Sequence, residues 1–227
     1  KLDNEDGSWE ELEIRSEIPH PRKGHTTVKY KKNLILFGGE RCFNHQTKVR
    51  ECLGDAWVFD VEKLQWELTK PEGKVESRRN HTAVTVGAHM LIQGGINTYG
   101  EYLSDISLLN LNTMRWSSLD DESTNDNLVA YHSACAVFHP SRKIITVGKI
   151  NDLPANAGLP TISEEGIYFY GGKSWSGDVL GTLRVLNINK KPFKWSTPQV
   201  LGASPGARYA HTMLYYQRMN CLIIHSG

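Results

Sequence analysis

Four histidines hold one recurring position in this 227-residue chain, His25, His81, His132 and His211, spaced 56, 51 and 79 residues apart. Imidazole is the commonest metal ligand among side chains, so this set is the first candidate for a metal site. Joint ligation needs every donor about 2 Å from one ion, whereas groups at matched positions of successive sheets stand on the order of 10 Å apart. The expectation is therefore a hydrogen-bonding role repeated in each unit, with no metal and no cofactor. His20, His45, His89, His139 and His225 are scattered without ligand spacing.

Three other sets recur in step with these histidines. Gly38-Gly39 and Gly94-Gly95 would suit a phosphate loop if a helix followed to supply its N-terminal amides, but no helical pattern does. They read instead as the end of a buried strand that bends close to its neighbour. Arg22, Arg78 and Arg208 each precede an anchor histidine by three residues. They are candidates either for the mouth of a central channel or for a fork that ties a loop to carbonyls or a carboxylate. Asp55 and Asp105 precede strand-like runs and are expected to accept backbone N–H groups as Asx turns do.

These residues belong to a repeat. The segment from Gly24 to Gly39 recurs from Asn80 to Gly95, with fourteen residues from His to second Gly both times. Looser copies run from Tyr131 to Gly148 and from Ala210 to Gly227, with sixteen. A second half follows as LGDAWVFDVEKLQW (Leu53 to Trp66), LSDISLLNLNTMRW (Leu103 to Trp116) and GTLRVLNINKKPFKW (Gly181 to Trp195). Each unit reads as four short strands, HTTVKY, NLILF, AWVFD and QWEL in the first copy. Trp66, Trp116 and Trp195 close the units at one point of the outer strand, which suits rings packed between adjacent sheets. Four-stranded meanders repeated about every 50 residues and stacked radially bury both faces of each sheet and leave short edges, the propeller solution.

The His, the Gly pair, the Asp before the third strand and the closing Trp together resemble the Kelch motif, and the resemblance covers nearly the whole chain. It implies an all-β, Kelch-type β-propeller, here an incomplete ring of about four blades of four-stranded antiparallel sheets. Residues 1–18 would end a preceding blade, 19–69 and 70–120 form two blades, 121–198 a degenerate blade with an insertion at 149–180, and 199–227 half of another. The degenerate copy has a single Gly148 for the Gly pair, Thr182 in place of the Asp and Val129 in place of the Arg. Within its insertion, Glu164 to Gly172 looks like a further second strand. It is either an extra strand of that blade or a neighbour of Lys143 to Val147 in a rearranged one. Because a ring needs at least about four blades, the chain is expected to be part of a longer propeller.

Composition narrows the function. With 26 basic and 25 acidic residues and a net charge of +1, the chain has no global field to capture nucleic acid or anionic lipid, and KYKK at 29–32 is a hairpin turn rather than a basic surface. No apolar run approaches the roughly 18 residues of a membrane span. The four cysteines form no CxxC pair, which fits a reduced cytoplasmic chain, although a loop disulfide between Cys42 and Cys52 is open.

In a meander, loops between strands two and three share a face with the links between blades. That face is expected to carry 40–52, 96–102, the insertion from Lys149 and the links between blades, opposite short turns such as YKKN and VGAH. Loops on a rigid scaffold are the usual place for recognition. The candidates for partner binding are Arg41, Phe43, Lys48, Arg50, Tyr99, Tyr102 and Trp175, with Asp120, Asp121 and Glu122 as an acidic counterpart. The Kelch resemblance implies a non-enzymatic scaffold or adaptor with protein partners. The alternatives are a Kelch-fold metalloenzyme of the galactose-oxidase type, which would require clustered Tyr, His and Cys ligands, and a propeller binding glycans or other small ligands in its channel.

Overall fold

A computed structural model describes residues 9, 11–41, 50–119, 128–138, 145–146, 165–189, 191, 193–198, 200, 203–217 and 220–227. The first sheet is a meander of β1 (Thr26–Tyr30), β2 (Asn33–Phe37), β3 (Ala56–Asp60) and β4 (Gln65–Thr69), paired antiparallel in chain order. The second repeats it with β5 (Thr82–Val86), β6 (His89–Gln93), β7 (Ile106–Asn110) and β8 (Arg115–Ser118). Short β9 (Val129–Ala130), paired with β13 (Lys173–Ser174), leads into the third, formed by β10 (Ser133–Val137), β12 (Gly166–Tyr170), β14 (Leu183–Asn187) and β15 (Lys194–Ser196). The last is the hairpin β16 (Thr212–Tyr216) and β17 (Cys221–His225), with β11 (Ile145–Thr146) parallel to β17.

Alternation along each strand builds the core between sheets rather than within one. On β6, Met90 and Ile92 pack with Val28, Ile35 and Phe37 of the first sheet, while Leu91 turns to Ile167 and Phe169 of the third. On β12, Tyr168 and Tyr170 in turn join Met213 and Leu222 of the last sheet. A strand sandwiched in this way is buried on both faces, and β12, GIYFY, is buried throughout.

That requirement corrects the sequence reading of the third blade. β12 lies directly between β10 and β14, and Gly171-Gly172 occupy the place of the Gly pair. The sheet has four strands, so β12 is not an extra one, and it does not neighbour Lys143 to Val147, since Ile145–Thr146 pairs with β17 of the next sheet. Counting residues from His132 selected Gly148 because the first two copies have short hairpins. In the third, β10 ends at Val137 and β12 begins at Gly166, so the connection between them starts and ends on the hairpin face, opposite the long loops.

A polar signal in the sequence fixes the turns between third and fourth strands. The Asp60 carboxylate accepts the amides of Glu62 and Lys63, and the Asn110 amide oxygen accepts those of Asn112 and Thr113. Asn187 accepts the amide of Asn189 in the same way. In the first two sheets a left-handed residue, Leu64 or Met114, then reverses the chain.

Candidate functional site

The repeated residues form latches between neighbouring sheets. Gly39, Gly95 and Gly172 donate their amides to the carbonyls of Arg78, Val129 and Arg208 at 2.8 to 2.9 Å. A Cβ on the preceding glycine would collide with that same carbonyl, at 2.7 Å for Gly38 and 2.4 Å for Gly94. The next anchor histidine covers it, with His81 Cε1 3.0 Å from the Gly38 position and His132 Cε1 3.2 Å from the Gly94 position. Closer to the axis, Asn80, Tyr131 and Ala210 donate in turn to the carbonyls of Gly24, Asn80 and Tyr131. The glycines and histidines therefore act in packing.

Burial sets the charge of those histidines. It holds His81 well below the ordinary imidazole range, assisted by Arg78, His132 and His25. It lowers His132 to about 3, assisted by Arg184 and His211. His25 and His211 are also lowered by burial, with Arg22 and Arg208 adding to it. All four are neutral at pH 7. His81 Nε2 meets Thr26 Oγ1 at 2.8 Å, whereas both ring nitrogens of His132 are buried without a hydrogen-bond partner. Among the described residues, no group of three His, Cys, Asp or Glu is placed to hold a metal ion.

Arg22 and Arg78 take the fork arrangement and do not line the channel mouth, their side chains being 3% and 0% exposed. Arg22 grips both Asp55 oxygens at 2.6 and 2.9 Å, and Arg78 grips both Asp105 oxygens at 2.8 Å. Each also donates to the carbonyl of the first glycine of its pair, Gly38 or Gly94. The aspartates thus serve guanidinium groups more than turn amides. Burial opposes ionisation of Asp55, yet the hydrogen bonds from Arg22 and Trp57 outweigh it and lower its pKa. In the third sheet Val129 and Thr182 replace both partners, so no buried charge is left alone. Arg208 donates to the carbonyls of Pro205, Gly206 and Ser226.

The long-loop face is built from the residues that flank these latches. Glu40, 5% exposed at its side chain, receives Lys23 at 3.3 Å, Arg50 at 3.2 Å and Arg79 at 3.2 Å. Arg79 Nη1 also lies 3.3 Å from the buried Cys52 sulfur, and Cys52 Sγ is 3.5 Å from the Ile96 carbonyl. Cys52, Cys135 and Cys221 are buried free thiols, and burial pushes Cys135 up to about 12. Arg41 stands 4.0 Å from Glu51. Phe43, Lys48, Cys42 and the acidic run at 120–122 lie outside the described residues.

Two of the loops are the same rigid turn, which the sequence reading missed. Asn97 and Ser174 each donate an amide to the carbonyl four residues on, and their carbonyls accept the amides of Gly100 and Gly177. Their side-chain oxygens accept the amides of Glu101 and Asp178. The signal available was a small polar residue three positions before a glycine and four before a carboxylate. These turns hold out Tyr99, 85% exposed, and Trp175, 67% exposed. Tyr102 is half-buried instead, its phenol raised by burial and by Tyr131, with partial relief from Arg79. Tyr209, 45% exposed, is absent from the sequence-derived set; its ring is 6.0 Å from that of Tyr131. A groove of about 400 Å³ is lined by Gly54, Pro71, Lys74, Glu76 and Trp116.

Residues 1–157 match the KLHDC2/KLHL20/DRC7 Kelch-repeats domain. The chain belongs to the Kelch-repeat family. This Kelch chain is 25% identical over 226 residues to protein tag-53 of Caenorhabditis elegans, covering 96% of the chain and 15% of that protein. It is 28% identical over 154 residues to human host cell factor 1, covering 58% of the chain and 7% of that protein. It is 22% identical over 211 residues to the flagellar outer-arm dynein alpha chain of Chlamydomonas reinhardtii, 92% of the chain and 4% of that protein. The chain thus spans less than a fifth of each of these relatives. The solved structure of YjhT superposes over 85% of the chain and 56% of its own, with a TM-score of 0.59 at 11% identity, and shares the fold. No helix among the described residues is long and apolar enough to cross a membrane.

Proposed function

We propose that this Kelch chain is a protein-interaction scaffold that engages its partner through the long-loop face. The observation that carries this reading is the pair of matched, internally bonded turns that expose Tyr99 and Trp175 on that face. Large rings on turns that are already ordered supply contact area at little entropic cost, the character of a binding hot spot. Arg41, Phe43, Lys48, Arg50, Tyr102 and Trp175 complete the contact set together with Tyr99. Nucleic acid and membrane are not its partners on this reading, because the overall charge is near zero.

A non-catalytic role is supported by where perturbed groups sit. His81, His132 and Cys135 owe their shifts to burial between sheets, where they pack rather than face a substrate. Three buried free thiols support a reducing, cytoplasmic setting.

Affinity capture with the full-length protein tests the reading when three forms are compared. These are the wild type, a variant with Arg41, Tyr99, Tyr102 and Trp175 changed to Ala, and a hairpin-face variant with Lys31 and Lys32 changed to Ala. Proteins retained by the wild type and the hairpin-face variant but lost from the long-loop variant support it. Equal retention by all three forms contradicts it.

A further inference from the structure

We propose that the segment bound on the long-loop face is an extended peptide with carboxylates at one end and aromatic or aliphatic side chains at the other; this rests on the long-loop reading above. The polarity follows from tracing equivalent positions around the axis. Lys23, Arg79, Ala130 and Tyr209 each follow the residue at the fork position. Glu40, Ile96 and Lys173 pair with Lys23, Arg79 and Ala130 across the face, and Cys52, Tyr102 and Val179 pair with those in turn.

Between the first and second sheets this frame is charged. Glu40 is enclosed by Lys23, Arg50 and Arg79. Even with Arg50 set aside, Lys23 and Arg79 share one carboxylate, so positive charge exceeds negative. The Lys23 side chain is 68% exposed and can turn to an incoming anion while Arg79 keeps Glu40 neutralised. Between the third and last sheets Ala130, Val179 and Tyr209 are apolar or aromatic at the same positions, with Lys173 the one charged member. Val179 and Tyr209 are 41% and 45% exposed, with Tyr131 packed on Tyr209, and Trp175, on the turn that leads into Val179, is 67% exposed. Lys173 and Asp178 there come from one turn and balance, and the Arg208 guanidinium beside Tyr209 is turned onto the carbonyls of Pro205, Gly206 and Ser226.

The two ends are two sheet spacings apart, roughly 20 Å, which an extended chain spans in about six residues. A short peptide can therefore place a carboxylate against Lys23 and a ring or branched side chain between Tyr209 and Trp175. Charge complementarity sets its direction, and the aromatic end supplies most of the buried area.

The test is selection of a phage-displayed random heptapeptide library on the immobilised full-length protein. Recovered peptides are then titrated, with a fluorophore attached, against variants. The expected winners carry net negative charge with an aromatic or branched residue several positions away. K23E/R50E should weaken them at least tenfold and should restore binding when the peptide carboxylates are changed to Lys. W175A/Y209A should weaken them whatever the peptide charge. Winners without charge bias, no enrichment, or indifference to K23E/R50E would each overturn the polarity. If W175A/Y209A still abolishes binding in the last case, the long-loop reading survives. That reading falls instead if K31E/K32E abolishes binding and the long-loop variants do not.

Discussion

Replacing Asp105 by Thr tests whether the Arg–Asp fork is one unit. The Arg78 side chain is fully buried while that of Asp105 is 42% exposed, with both oxygens 2.8 Å from the guanidinium. At an effective dielectric of about 20 the gross attraction is about 6 kcal/mol, most of it offset by the desolvation of Arg78. Removing the aspartate strands a buried cation, a loss of about 3 to 5 kcal/mol when both partners are deep. Because water reaches the Asp105 side, the lower end, about 3 kcal/mol, is expected for D105T. The third sheet shows what relieves it, since Val129 and Thr182 stand at the two positions together. The double variant R78V/D105T should therefore cost only about 1 kcal/mol, less than D105T alone. Urea denaturation followed by tryptophan fluorescence, with the slope checked for constancy, gives all three values for a double-mutant cycle. A double variant no more stable than D105T, or a single change costing under about 1 kcal/mol, would refute the reasoning.

Other outcomes follow from the same geometry. The folded His132 pKa of about 3 lies below the unfolded value near 6.5, so the unfolded chain binds more protons between those values. This contribution is complete above pH 6.5 and is lost as pH falls toward 3, at up to about 1.4 kcal/mol per pH unit; H132N should flatten the slope of stability against pH in that window. Gly94→Ala should cost at least about 2 kcal/mol, because its Cβ would lie 2.4 Å from the Val129 carbonyl at φ +67°. Gly100→Ala, at φ +86° with open space around it, should cost only about 1 kcal/mol, which thermal or urea melts will distinguish. Y99A/W175A should leave the melting temperature unchanged, since both rings are exposed, yet weaken partner binding at least tenfold by calorimetry.

The blades were legible because their architecture repeats a physical requirement: a strand packed on both faces, a glycine pair where backbones meet, and an aromatic ring on the outer strand. The third blade misled because residue counting carries no information about what a hairpin can absorb. The apolar run Gly166–Tyr170 satisfies two-sided burial, and Gly171-Gly172 supply the pair. The fork was half legible: Arg and Asp recur together and vanish together at Val129 and Thr182, but nothing local shows that residues 33 or 27 positions apart meet. At the long-loop face, composition found Tyr99 and Trp175 without the side-chain and backbone bonds that make their turns rigid. It did not single out Tyr209, whose exposure depends on neighbouring sheets, and could not show that packing half covers Tyr102.

The central claim is that recognition belongs to the long-loop face. Hydrogen–deuterium exchange of the full-length protein, free and bound to a captured partner, addresses it directly. The account predicts new protection over 97–101, 174–178 and 203–210, with exchange unchanged at the hairpins 30–33 and 86–89. Protection confined to those hairpins, with the long loops exchanging as in the free protein, would contradict it.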